Sequence, residues 1–149
     1  MTSYDLVFNR FLSICDSYSL LNLSENDFNE LATEWLFIAI SNVEVRQLFS
    51  ELELDNEIRA ISFKLKDSVD ESSDEYFVVD ILALAMKIAW LTQRVDAELY
   101  TAPFIGSDKE KKILDGHSEM SNRLHMLEVQ LQKKIMKHGY FNGEIGGIG

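Results

Sequence analysis

The chain has 149 residues and a mass of 17.1 kDa, with 46% hydrophobic and 26% charged residues, which predicts one folded domain rather than a disordered chain. Its 14 basic and 25 acidic residues give a formal net charge of −11, which argues against a nucleic-acid binder that uses its whole surface. The one cysteine, Cys15, excludes an internal disulfide and a cysteine-based zinc cage.

The first helix is predicted over residues 3–18. Tyr4, Val7, Phe8, Phe11, Cys15 and Tyr18 recur at steps of three and four and share one face. Asp5 in the first turn suits the helix dipole. Ser24 reads as the N-cap of a second helix over residues 25–40, with Asp27 three residues on as a shortened capping box. Its buried stripe is Phe28, Leu31, Ala32, Trp35, Ile38 and Ala39. Ser41 and Asn42 break the pattern, and Val45, Leu48, Phe49 and Leu52 point to a short third helix. Its end is ambiguous, because Glu51, Glu53, Asp55 and Glu57 alternate with Leu52, Leu54, Asn56 and Ile58, a strand signal. Ile61, Phe63 and Leu65 alternate with Ser62, Lys64 and Lys66, so residues 60–66 read as a short strand or an extended arm. Residues 67–75 carry five acids and three serines, have little to bury and read as a solvated loop.

The strongest helix is predicted over residues 74–100. Phe77, Ile81, Leu84, Ile88, Leu91 and Val95 form one stripe, and Val78, Leu82, Ala85 and Ala89 fill the adjacent face. Only Asp80, Lys87, Arg94 and Glu98 make a charged stripe, so this helix is expected at the centre. Pro103 stops its continuation, and residues 101–116 read as a connector with a helical turn near residues 109–114. A last helix is predicted from Ser118 as N-cap to His138, capped by Gly139. Met120, Leu124, Leu127, Leu131 and Ile135 make its stripe, and Lys133, Lys134, Lys137 and His138 complement the dipole at its end. The fold class is therefore a mainly α, single-domain helical bundle with a long central helix. Residues 1–139 form the helical domain, and residues 140–149, rich in glycine, are a flexible C-terminal tail.

The sequence offers little that reads as chemistry. There is no glycine-rich phosphate loop between a strand and a helix. His117, His125 and His138 are eight and thirteen residues apart, and neither spacing makes the adjacent-turn pair of a helical metal site. The acidic stretch lacks the ligand alternation, central glycine and terminal glutamate of an EF-hand. Cys15 lies on an apolar stripe and reads as a buried thiol. The expectation is a non-enzyme with no cofactor and no metal. The N-terminus has no secretory pattern, and the apolar run 77–91 is interrupted by Asp80 and Lys87, so a soluble protein made in a cytoplasm is expected.

Two features read as contact surface. Trp90 is flanked at one helical turn by Lys87 and Arg94, as an interface anchor is, or as a tryptophan that caps the core. Tyr140, Phe141, Ile145 and Ile148 put apolar side chains on the glycine-rich tail, either as a frayed end or as a segment that orders on another chain. Charge is uneven: residues 1–100 hold 7 basic and 19 acidic residues, and residues 101–149 hold 7 and 6. A homo-oligomer that sets one subunit's C-terminal region against the next subunit's acidic body would be electrostatically complementary.

The run VVDILALAMKIAWLTQRV, the connector ending GSDKEKKI and the last segment HSEMSNRLHMLEVQLQKKI, followed closely by an aromatic, resemble a family of small helical proteins of tailed bacteriophages. The similarity extends to a short first helix and a second helix bearing Glu34-Trp35-Leu36; the acidic stretch 67–75 and the glycine tail depart from it. The resemblance implies a virion protein of the head–tail connector, a homo-oligomeric ring stacked between portal and tail proteins. DNA would pass through as cargo, with no membrane contact and no catalytic residues. The alternative reading is an acidic helical inhibitor or adaptor that binds a host protein.

Overall fold

The computed structural model describes residues 1–15, 17–101 and 107–139. Six helices and a small antiparallel sheet follow in the order β1 (Thr2–Ser3), α1 (Tyr4–Ile14), α2 (Tyr18–Leu21), α3 (Glu25–Ser41), α4 (Val43–Arg46), β2 (Phe49–Asp55), β3 (Ala60–Leu65), α5 (Glu71–Thr101) and α6 (Ser107–Gly139). The protein is mainly α, as its periodicity predicts.

Local chemistry explains the first boundaries. Ser3 caps α1 by accepting the Asp5 amide, and Ser24 caps α3 by accepting the Asp27 amide. α1 ends at Ile14 rather than at residue 18, with the Cys15 amide bonded to the Phe11 carbonyl. Tyr4, Val7, Phe8 and Phe11 are buried on α1. Phe11 lies 5.5 Å from Trp35 and Phe8 lies 6.0 Å from Phe28, centroid to centroid, so an aromatic ladder joins α1 to α3. The α3 stripe differs by one position from expectation. Leu36 is fully buried and Ile38 is exposed, because the buried arc of α3 is centred on Ala32, Trp35, Leu36 and Ala39 and Ile38 falls at its edge.

The third helix is only α4, one turn capped by Asn42. The chain then turns into strand, so the alternation from Glu51 onward outweighs the helical spacing of Val45, Leu48 and Leu52. β2 and β3 pair as an antiparallel hairpin, with Leu52 opposite Phe63 and Leu54 opposite Ile61, and an irregularity between Phe49 and Glu51. β1 pairs with the other side of β3, which leaves β2 as an edge strand. Asp55 Oδ1 accepts the amides of Glu57 and Ile58 in the turn.

Residues 67–75 are not simply a solvated loop. α5 starts at Glu71, and Asp70 accepts the Ser73 amide at 2.7 Å. Asp74 is buried, accepting the Ser68 hydroxyl and the Val69 amide. Serine and backbone donors nearby satisfy these carboxylates, which a count of charges does not register.

α5 is the central helix. Val78, Ile81, Leu82, Ala83, Leu84, Ala85, Met86 and Ala89 are all buried in the one core cluster, and the helix packs against α1, α3 and α6. Trp35 Nε1 donates to Gln93 Oε1 at 2.9 Å, tying α3 to α5. α6 is one 33-residue helix from Ser107, so residues 107–116 are not a connector and Ser118 is not its N-cap. Gly116 lies inside it; glycine costs a helix interior about 1 kcal/mol relative to alanine, too little to break one of this length. On the predicted α6 stripe Leu131 is fully buried, Leu127 and Ile135 pack on the core, and Met120 and Leu124 are half-buried outside the core cluster.

Candidate functional site

α5 and α6 run antiparallel. Near the start of α5, Asp80 meets Lys134, and Phe77 stacks on His138 at 3.8 Å; further along α5, Leu91 and Arg94 share a groove with Met120 and Arg123 of α6. Asp80 fixes this arrangement, pairing with Lys134 of α6 and with Arg10 of α1 at 3.0 Å. Burial pushes its carboxyl up, but the hydrogen bonds and charges of Lys134 and Arg10 outweigh that and hold it below the usual aspartate range.

The groove between the two helices has a volume of about 1090 Å³. α5 supplies Lys87, Trp90, Leu91 and Arg94, and α6 supplies Met120, Arg123, His125, Met126, Leu127, Val129, Gln130, Lys133, Lys134 and Lys137. Six of these are lysine or arginine, and none is acidic. In a chain of net charge −11 this is a strongly segregated surface. Among the described residues, Arg123, Lys133 and Lys137 form no ion pair. The walls are apolar as well as basic: Met126 is 69% exposed, and the Arg94 guanidinium lies 5.2 Å from the centroid of the Trp90 ring.

Of the residues singled out in the sequence, Lys87, Trp90 and Arg94 are brought together here. Lys87 has a second role, because its ammonium donates to the Ile14 carbonyl at 2.8 Å and so caps the C-terminal end of α1. Trp90 packs against the core and also lines the groove. Tyr140, Phe141, Ile145 and Ile148 lie outside the described residues. The α6 wall is not singled out by the sequence reading, which takes Lys133, Lys134 and Lys137 only as partners of the helix dipole. Its signal is the spacing of Met120, Arg123, Leu127, Gln130, Lys134 and Lys137, which places them along one helix face.

A second surface has the opposite character. β2 presents Glu51, Glu53 and Asp55 as exposed residues in alternate positions, and Glu57 and Ile58 continue the exposed row at the turn. Their charge is barely neutralised, since Glu51 meets Lys64 only at 3.9 Å across an exposed pair. Among the described residues no group of three histidine, cysteine, aspartate or glutamate side chains converges to hold a metal ion. No described helix is long and apolar enough to cross a membrane. Chemically the groove brings together cations, a tryptophan and methionines, whose side chains adapt to the shape of what they meet. No protein-family model, no curated protein and no solved structure significantly matches this chain.

Proposed function

We propose that this chain is a structural, non-enzymatic virion protein, a ring-forming subunit of a tailed-phage neck that bridges portal and tail, with DNA passing through as cargo. The reading is supported by the resemblance over residues 76–139 and by a helical body packed around α5. The observation that carries it is the presence, on one subunit, of two different and complementary surfaces: a basic groove on α5 and α6 and an acidic row on β2. Unlike surfaces associate head to tail, and head-to-tail contacts close into rings when the rotation between neighbours allows. The test is mass and shape in solution: light scattering and negative-stain imaging of the purified protein, alone and with a portal ring. Discrete rings, or rings formed on the portal, are the expected result. A protein that stays monomeric in both settings overturns the reading.

One observation favours the alternative, an acidic adaptor that binds a host protein. Glu51, Glu53 and Asp55 form an ordered row rather than a scatter in a loop, with alternate strand residues about 7 Å apart. A monomer that inhibits a host nuclease stoichiometrically would support that reading against the ring.

A further inference from the structure

Resting on the ring reading, we propose that the groove between α5 and α6 of one copy receives the acidic β2–β3 hairpin of the neighbouring copy. The argument starts from charge. Among the described residues the groove concentrates lysine and arginine without a carboxylate in its lining, on a chain that is acidic overall. An acidic occupant is therefore favoured, and the chain carries one on an exposed, ordered element. The hairpin bears Glu51, Glu53, Asp55 and Glu57, and Ile58 at its turn is 57% exposed.

The two surfaces do not satisfy each other within one copy. Among the described residues no hydrogen bond or ion pair links these carboxylates to the groove: Glu51 meets Lys64 of its own hairpin, and Asp55 accepts amides of its own turn. Tyr4, whose hydroxyl donates to Asn56 at 2.6 Å, and Arg59, which pairs with Asp5 at 3.0 Å, hold the hairpin turn beside the start of α1. Lys87 of the groove lies at the other end of α1, against Ile14. The hairpin of a second copy is free to reach what its own cannot.

The compositions also agree. The hairpin tip carries the exposed Ile58 next to Glu57 and close to Asp55. The groove lining holds Trp90 and Met126 together with six lysine and arginine residues. Such a contact joins unlike surfaces, so each subunit still has a free hairpin at one side and a free groove at the other, as a closed ring needs. β2 is an edge strand, and its row of like charge keeps two hairpins from pairing edge to edge.

The test uses full-length protein and two charge-reversal variants, one with Glu51→Lys and Glu53→Lys, the other with Lys133→Glu and Lys137→Glu. All four positions are exposed, and circular dichroism melts check that each variant folds. Each variant alone should assemble at least tenfold more weakly than the parent, and an equimolar mixture of the two should regain assembly. Variants that assemble like the parent overturn the hairpin-in-groove contact and leave the ring reading standing. Assembly lost on deleting residues 140–149 but kept in both charge variants assigns the contact to the tail, and also overturns it. A parent protein that never assembles, with or without a portal ring, overturns the ring reading itself.

Discussion

Arg59 is the one non-glycine residue with positive φ among those described, at 51°, where a side chain is strained by about 1–2 kcal/mol. What holds it there is the number of partners it reaches: Asp5 at 3.0 Å, Asn29 Oδ1 at 3.2 Å and the Phe8 ring at 5.6 Å. The contacts outweigh the strain, and they join the hairpin to both α1 and α3. Arg59→Ala should destabilise the protein by about 1–2 kcal/mol, because it loses the contacts and keeps the strain. Arg59→Gly should lie about 1 kcal/mol closer to the parent, because it also relieves the backbone. Urea denaturation of the three proteins checks the order. Asp80 makes a second prediction at this scale. Its carboxyl is held below its ordinary value of 3.8 in the folded protein, so its contribution is complete above the unfolded value and is lost as pH falls through the folded one. Asp80→Asn should cost about 1–2 kcal/mol at neutral pH, discounted for partial exposure, and the deficit should shrink below about pH 4. Thermal melts of parent and variant across that range read it directly.

Among the elements, α6 departs most from its sequence reading and offers the clearest handle. Gly116 lies in its interior, its φ is not positive, and a Cβ built there meets nothing within 4 Å. Gly116→Ala should therefore stabilise the protein by roughly 0.5–1 kcal/mol, seen as a raised melting temperature. α5 makes the opposite prediction. Leu82 is fully buried at its centre, and Leu82→Ala should cost about 2–5 kcal/mol, the upper end if the surrounding helices cannot close on the cavity. Ile88, on the predicted stripe, is only partly buried, so the same truncation there should cost less. Chemical denaturation of the two truncations side by side measures the difference.

For the whole molecule the controlling quantity is the separation of charge. In the proposed contact the basic groove attracts the acidic hairpin of the next copy, an attraction that salt screens. Raising salt from about 0.1 M to about 1 M shortens the screening length from about 10 Å to about 3 Å. Self-association through the groove should weaken over this range, while the melting temperature of the subunit, which rests on an apolar core, should not fall with it. Light scattering and calorimetry on one salt series separate the two. Association that strengthens with salt would place the contact on apolar surface instead, with exposed Phe37, Ile38 and Val43 the first residues to test.

What the sequence by itself determined is what local spacing and local caps determine. The helical class, the Ser24 cap of α3, the apolar face of α1, the centrality of α5 and a strand or extended arm at residues 60–66 all follow from periodicity and short-range hydrogen bonds, which act over one or two turns. The triad Lys87, Trp90 and Arg94 was legible for the same reason, as neighbours on one helix. The tertiary structure decided the rest. Asp74 is buried because Ser68 and Val69 fold back to it, and Leu36 rather than Ile38 is buried because the packed arc of α3 is centred on Ala32, Trp35, Leu36 and Ala39. β2 becomes strand because β3 is there to pair with it, since a lone run of alternating residues gains no ladder. The groove itself exists only because α6 returns antiparallel along α5 and sets Arg123, Lys133 and Lys137 beside Trp90 and Arg94, residues about 30 to 45 positions apart whose proximity no local spacing encodes.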